Sequence, residues 1–335
     1  MGRRQRVPNN RRRFSGLIGN RGIFIGMASC CPICRTPGNP IGVKPGKLCA
    51  RTFEFEYCTS CGLTFVANPW TDYKEVYSAD YYKGKGADPL VDYSFELQEP
   101  EKTIRDAEWQ GIVRVVSGLC PLSPATKWLD YGCGNGGLVR HIRRAVGCEA
   151  VGFEEGWIAD RARECQIPIL SRAELQEQSS LYDVVTMIEV MEHVTDPVAV
   201  LKEVRNLLRP GGVLFLTTGN AEPHRDAVLQ WSYTTPEIHV SYFEPRTLAL
   251  AMKAAGLDPA PAGWRPGWDQ IIRFKVLKNL KVRRRQAWQN WVPWGLLGKV
   301  LDSRLQLTAH PIAYRPIEYE SRESVREPVA SRRAE

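Results

Sequence analysis

Long apolar runs are missing from this chain. No stretch of 18 consecutive apolar residues occurs among its 335, so no transmembrane helix is expected. The G-x-S-x-G elbow and the H-E-x-x-H zinc motif are also missing, so the chain carries neither of these hydrolase signatures. No internal repeat is visible. Acid is missing from two segments. Residues 1–26 hold seven arginines and no Asp or Glu, and removing them from the net charge of +8 leaves 38 basic against 37 acidic residues. The remaining body is near neutral, so the basic isoelectric point says little about a partner. Residues 270–301 hold eight Lys and Arg, no acid, and Trp288, Trp291 and Trp294.

What is present fits a large domain with a small one before it. Hydrophobic residues make up 43% of the chain, enough for a sizeable core. Residues 1–26 read as a disordered basic arm or as preceding a natural start at Met27. Arg11 to Phe14 and Met27 to Cys30 faintly echo export signals, but Asn20-Arg21 breaks the apolar stretch that either needs. A cytoplasmic protein is expected.

The ten cysteines do not read as a disulfide framework. Four form two C-x-x-C pairs, Cys31/Cys34 and Cys58/Cys61, with 23 residues between them. Each pair offers two thiolates from one tight turn, and two such turns build a closed four-thiolate site for a structural zinc. Phe53 to Tyr57 alternates like a strand entering the second pair. Gly62 suits the turn after that pair, and Arg35 holds the matching place after the first. Cys30 and Cys49 are supernumerary, and Cys30 is an alternative ligand to Cys31. Cys133, Cys148 and Cys165 read as small buried apolar residues.

Residues Asp130-Tyr-Gly-Cys-Gly-Asn-Gly136 follow a strand signal, Lys127 to Leu129, and precede a helix signal, Leu138 to Ile142. Strand, glycine turn and helix together make a nucleotide-type site, because glycines allow close backbone approach and the helix start offers free N–H groups. Gly132, Gly134 and Gly137 also satisfy the dinucleotide fingerprint G-x-G-x-x-G. Glu154 ends the next strand, Ala150 to Phe153, as a ribose-binding acid for either cofactor type. Asp130 favours one of them. A carboxylate there repels pyrophosphate but accepts a cationic head such as the amino group of S-adenosylmethionine (SAM).

Tyr182 to Met187 reads as a buried parallel strand running into Ile188-Glu-Val-Met-Glu-His193, then a helix through Val200, Leu201, Val204, Leu207 and Leu208. Arg209-Pro-Gly-Gly212 reads as a turn into a strand, Val213 to Thr218. His239 to Pro245 precedes a helix, Thr247 to Ala255, closed by Gly256. In order and wording, residues 126–258 resemble class I SAM-dependent methyltransferases, in the branch that includes ubiquinone-biosynthesis O-methyltransferases. The stretch from Cys61 to Tyr82 resembles the linker of bacterial zinc-ribbon methyltransferases. The resemblance implies a doubly wound, Rossmann-like α/β sheet of seven strands with the last inserted antiparallel, preceded by a small zinc ribbon. It also implies that Asp130, Gly132, Gly134 and Gly136 cradle the methionine end of SAM and that Glu154 holds its ribose. Adenine contacts fall near Ser171 to Leu175.

Methyl transfer needs positioning and exclusion of water more than a protein nucleophile. Ile188-Glu-Val-Met191 stands where enzymes of exocyclic amino groups carry [D/N]-P-P-Y, so nucleic-acid bases are not expected as partners. Glu189, Glu192 and His193 would share a face of a helical turn and could hold a magnesium-type ion, as the matching residues do in the family resembled. The plainer reading is hydrogen bonding around the strand end. For a hydroxyl acceptor, His193 and His239 are the candidate general bases, with His224 a weaker third.

Residues 98–118 read as an amphipathic lead helix with Ile104, Trp109, Ile112, Val113 and Val116 on the sheet. In the acid-free segment, Ile272, Val276, Leu277 and Leu280 gather on one helical side and Lys275, Lys278, Lys281 and Arg285 on another. It reads as a lid resting on a membrane surface or an anionic substrate, or as a helical insertion with a solvated basic face. His310 to Tyr314 is the last strand. The expected organisation is therefore an arm (1–26), a zinc ribbon (27–66), a linker and lead helix (67–125), a SAM-binding core (126–258), an insertion with the last strand (259–316) and a disordered tail (317–335). The leading expectation is methyl transfer to a small-molecule, sugar or lipid-linked acceptor at oxygen. An NAD-dependent oxidoreductase and an inactive zinc-containing binding protein remain as alternatives.

Overall fold

A computed structural model describes residues 29–86 and 92–317. The expectations for residues 1–26 and for the tail beyond 317 lie outside them. The chain begins with three short strands, β1 (Asn39–Pro45), β2 (Thr52–Tyr57) and β3 (Thr64–Val66). β2 alternates as its sequence demands, with Phe53 and Phe55 buried and Thr52 and Glu54 exposed. Two short helices, α1 (Tyr73–Val76) and α2 (Tyr93–Gln98), lead to α3 (Arg105–Ser117). Trp109, Ile112, Val115 and Val116 of α3 share one buried cluster with Trp128, Ile142, Val184 and Phe215. The lead helix thus covers the sheet through Trp109, Ile112 and Val116, but it begins at Arg105 rather than 98, and Ile104 packs instead with Phe274, Leu277 and Trp294.

The core then alternates strand and helix: β4 (Lys127–Tyr131), α4 (Gly137–Val146), β5 (Glu149–Phe153), α5 (Trp157–Glu164), β6 (Ile169–Leu170), α6 (Arg172–Gln176), β7 (Tyr182–Ile188), α7 (Pro197–Leu207) and β8 (Leu208–Thr217). There follow β9 (Ser241–Tyr242), α8 (Pro245–Ala254), β10 (Asp258–Pro261), α9 (Trp268–Asn279), α10 (Trp294–Leu305) and β11 (Pro311–Tyr314). The main sheet has seven strands in the order β10-β11-β8-β7-β4-β5-β6. β11 is antiparallel to both neighbours, and the strands from β8 to β6 run parallel. This is the expected doubly wound sheet. Winding reverses between β4 and β7, which opens a crevice at their carboxyl ends.

Three local expectations change. Arg209 to Gly212 does not precede its strand: β8 begins at Leu208, and the ladder with β7 shifts between Tyr182 and Val184, so these residues bulge within the pairing. Residues 270–301 form two helices, because the chain turns left-handed at Lys281 (φ 58°) after α9. Their basic residues also meet acids from elsewhere. Arg283 pairs with Asp92 at 2.7 Å, Arg285 with Asp106 at 3.0 Å and Lys275 with Glu189 at 2.8 Å. The acid missing from the segment is supplied by α2, α3 and the end of β7. Trp294 is buried, whereas Trp288 and Trp291 are exposed. Among the described residues no helix is long and apolar enough to cross a membrane.

The small sheet is not closed on itself. Its order is β1-β2-β3-β9, so a strand from the far half of the chain completes it. Thr64 and Phe65 pair with Tyr242 and Ser241.

Candidate functional site

The glycine turn lies at the crevice. Gly132 and Gly136 have φ of 75° and 69°, which side chains avoid, and a Cβ on Gly132 would stand 2.5 Å from Val190 Cγ2. The N–H groups of Gly132 and Cys133 donate to Phe153 O at 2.8 and 3.1 Å, which ties the turn to β5. Glu154, at the end of β5, accepts from Gly134 N at 2.9 Å. Asp130 is buried at the end of β4 and accepts from Thr186 Oγ1 at 2.7 Å, and Trp128 Nε1 donates to the same hydroxyl. Burial pushes the Asp130 carboxyl up to about 7, against the lowering effect of Thr186. A group held near neutrality by desolvation gains from a cationic ligand that restores its charge. The structure therefore brings Asp130, Gly132, Gly134, Gly136 and Glu154 together around one turn.

Residues that the sequence did not single out roof this turn. A solvent-open cavity is lined by Asp130, Gly132, Asn135 and Ile188 on the sheet side and by Tyr93, Arg105 and Glu108 from α2 and α3. Arg105 Nε donates to Glu96 at 2.8 Å and its Nη1 to Glu108 at 2.9 Å, while its guanidinium covers the rings of Tyr93 and Phe274. Asn135 Nδ2 donates to Glu96. The one sequence signal was the Arg105/Glu108 spacing, which places both on one face of α3. The segment expected near adenine is α6, where Ser171 and Glu174 form a capping box with each other.

A second cluster lies beyond β7. Glu189, Glu192 and His193 do not gather on one helical face, because Glu189 turns left-handed (φ 55°) and only Met191–His193 forms a 3-10 turn. Glu189 accepts from Lys275 Nζ at 2.8 Å and from Thr217 Oγ1 at 3.0 Å. Burial pushes its carboxyl up, but Lys275 outweighs this and holds it down at about 2. Glu192 accepts from Thr218 Oγ1 and from the Tyr233 hydroxyl, and burial and then the Glu189 charge raise it to about 7.

The carboxylate of Glu192 instead joins two imidazoles. Ligand atoms of Glu192, His193 and His239 lie within 4.8 Å of one another. His193 Nδ1 donates to Ile238 O at 2.9 Å and His239 Nδ1 to Tyr233 O at 2.7 Å. A carbonyl only accepts, so each ring carries a proton on Nδ1 and turns its Nε2 away from that carbonyl. Two imidazoles and one carboxylate do not fit a magnesium-type ion, which takes oxygen ligands. Tyr77 sits 2.9 Å from His193 Nδ1, a contact that sequence spacing gave no means of finding. His224 stacks on Trp231 with centroids 4.4 Å apart.

The two cysteine turns meet. Cys31 Sγ lies 3.5 Å from Cys61 Sγ, Cys34 Sγ lies 3.3 Å from Cys58 Sγ, and all four sulfurs are within 4.8 Å of one another. No disulfide forms among the described residues. Arg35 N donates to Cys31 O and Gly62 N to Cys58 O, so the two turns repeat one geometry. Arg35 takes a left-handed φ of 62°, where Gly62 has 84°. Backbone N–H groups of Ile33 and Cys34 point to Cys31 sulfur, and those of Ser60 and Cys61 to Cys58 sulfur. Four thiolates about 2.3 Å from a zinc ion stand roughly 3.8 Å apart, so small outward shifts fit this set to a tetrahedral ion.

A doubly wound sheet with this strand order, an acid–glycine turn after β4 and a second acid after β5 defines a methyltransferase domain. The model of the methyltransferase-domain family matches residues 93–261, half of the chain, and the chain belongs to that family. It is similar to the ubiquinone biosynthesis O-methyltransferase of Acinetobacter baylyi, with 32% identity over 153 residues, 39% of this chain and 63% of that protein. The corresponding protein of Aeromonas salmonicida is 30% identical over 174 residues, 46% of this chain and 72% of its own length. The chain thus spans under two thirds of the first of these relatives. Among solved structures, phosphoethanolamine N-methyltransferase 2 of Haemonchus contortus, in complex with S-adenosyl-L-methionine, aligns with a TM-score of 0.45 and 11% identity over 82% of this chain and 71% of that one.

Proposed function

We propose that the protein is a class I SAM-dependent methyltransferase that methylates a hydroxyl oxygen of a small-molecule, sugar or lipid-linked acceptor. The observation that carries this reading is Asp130, a buried carboxylate at the cavity floor beside the glycine turn. It suits an ammonium and opposes a pyrophosphate, which disfavours the NAD alternative. Glu154 would hold the ribose, and Arg105 at the roof would face the carboxylate end of the cofactor. SAM supplies a methyl group on a sulfonium whose departure leaves a neutral thioether.

The protein's own part is then to orient the acceptor, exclude water and take the acceptor proton. His239 Nε2 and His193 Nε2 are the bases in reach of one another, and Glu192 beside them would hold the proton afterwards. The O-methyltransferase relatives favour oxygen as the acceptor atom. A zinc ion held by Cys31, Cys34, Cys58 and Cys61 would be structural, since four thiolates leave no open position.

Isothermal titration calorimetry tests the cofactor. SAM is expected to bind and NAD not to bind. Asp130→Asn should weaken SAM at least tenfold, or about 1.4 kcal/mol. Binding of NAD without SAM would overturn the reading, and binding of neither would favour an inactive zinc-containing protein.

A further inference from the structure

We infer that the cysteine ribbon is a clamp for the acceptor wall, the segment 229–243 that carries Tyr233 and His239. The inference rests on the methyltransferase reading for the word acceptor, but its geometry does not. The ribbon grips this segment from one end to the other. At the first end, Lys44 Nζ of β1 donates to Leu229 O at 2.9 Å and to Thr234 O at 2.8 Å. In the middle, the hairpin between β1 and β2 turns the N–H groups of Lys47 and Leu48 onto one carboxylate oxygen of Glu237, a residue only 3% exposed. At the far end, Val66 N donates to Val240 O at 2.9 Å, and β3 pairs with β9 through Thr64–Tyr242 and Phe65–Ser241. Beyond it, Thr247 Oγ1 donates to Cys61 O at 2.7 Å, so the second cysteine turn itself is tied to α8.

The wall has little regular structure of its own. Between Gln230 and Ser241 it forms no helix or strand; short internal turns at Thr234, Ile238 and His239 are supplemented by bonds from Lys44, Val66 and Glu192 outside it. Two carbonyls of the wall bear on the histidines. His193 and His239 are fixed by the carbonyls of Ile238 and Tyr233, both within the wall. Releasing the wall would take the Ile238 carbonyl from His193 and shift His239 with its own segment, while leaving Asp130, Thr186 and Glu154 on their own strands. Cys31, Cys58 and Cys61 pack with Leu63 and Phe65 into the same buried cluster as Met191, Phe243 and Leu248, so a metal on the cysteines would fix the clamp where it meets the main domain. The ribbon's hydrogen bonds run to the acceptor side, whereas Asp130 is held by Thr186 and Glu154 by Gly134, so the metal acts first on the acceptor side.

Hydrogen–deuterium exchange on the full chain tests the clamp, with zinc content measured by mass spectrometry and SAM affinity by calorimetry. Zinc should be present at one ion per chain. Its removal with a thiol-reactive mercurial and chelator should raise exchange across 229–243 at least tenfold and change the SAM dissociation constant less than threefold. The double variant Lys44→Met/Glu237→Ala keeps every cysteine. It should keep its zinc and SAM affinity and still raise exchange in 229–243. Unchanged protection of 229–243 in the metal-free chain or in the variant overturns the inference. So does a chain that purifies without zinc, or a metal-free chain that exchanges equally everywhere. Failure of the zinc-loaded parent to bind SAM would instead count against the proposed activity and leave the exchange result to judge the clamp.

Discussion

Replacing Lys275 by methionine should unmask the most heavily compensated carboxylate in the site. Lys275 Nζ lies 2.8 Å from Glu189 Oε1, and the two side chains keep 26% and 31% of their exposure. Glu189 is held at about 2 against an ordinary 4.5. At ~1.4 kcal/mol per pH unit this corresponds to roughly 3 kcal/mol, and partial solvent screening reduces it to about 2 kcal/mol. Methionine keeps the stem and removes the charge, so Lys275→Met should cost about 2 kcal/mol in urea unfolding at pH 7. Adding Glu189→Gln to that variant should recover at least half of the loss, roughly 1 kcal/mol, because it removes the stranded charge.

The acid limb of the stability curve carries a second signature. A depressed carboxyl contributes stability above its unfolded pKa and loses it as pH falls through its folded pKa. In the parent this contribution should fade between pH 4.5 and about 2, and in Lys275→Met that part of the limb should flatten. A Lys275→Met protein within 0.5 kcal/mol of the parent at pH 7, with an unchanged acid limb, would refute the reasoning.

Glu192 should behave in the opposite sense. Its folded pKa is raised to about 7, so its ionisation opposes folding progressively from pH 4.5 to 7 and fully above that. Glu192→Gln should therefore gain about 1 kcal/mol at pH 8 relative to the parent and none at pH 4, read by thermal melts at both pH values. Gly132→Ala should lose about 2 kcal/mol or more in chemical denaturation, since φ is 75° and the new Cβ meets Val190 at 2.5 Å. A Gly132→Ala protein as stable as the parent would show that the turn yields at little cost.

The fold was largely legible in the sequence because the strands of the parallel core centre on short, mostly apolar runs. Leu129, Val184, Val185 and Leu214 are fully buried, and the turns between such runs carry glycine or a capping acid. The proposed cofactor half of the site was legible for the same reason. Asp130, the glycines and Glu154 lie within 25 residues and are fixed by one strand–turn–helix unit and the strand after it. The bulge at 209–212 was misread because a Pro-Gly-Gly stretch signals an irregular backbone without saying whether pairing stops or skips.

The proposed acceptor half was only partly legible, since its members come from distant segments. Spacing alone grouped Glu189 with Glu192 and His193. The chain instead gives Glu189 to Lys275, 86 residues away, and brings His239 to Glu192. The acid-free run 270–301 read as a lid on something anionic or as an insertion with a solvated basic face, yet Asp92, Asp106 and Glu189 answer three of its charges. By itself the sequence determined the sheet, the cofactor turn and the two cysteine pairs, because each depends on residues near one another in the chain. Only the tertiary structure decided which carboxylate is paired, which imidazoles converge and what the ribbon holds. Those outcomes depend on long-range strand pairing and burial, where a charge settles beside whichever partner the fold brings within reach.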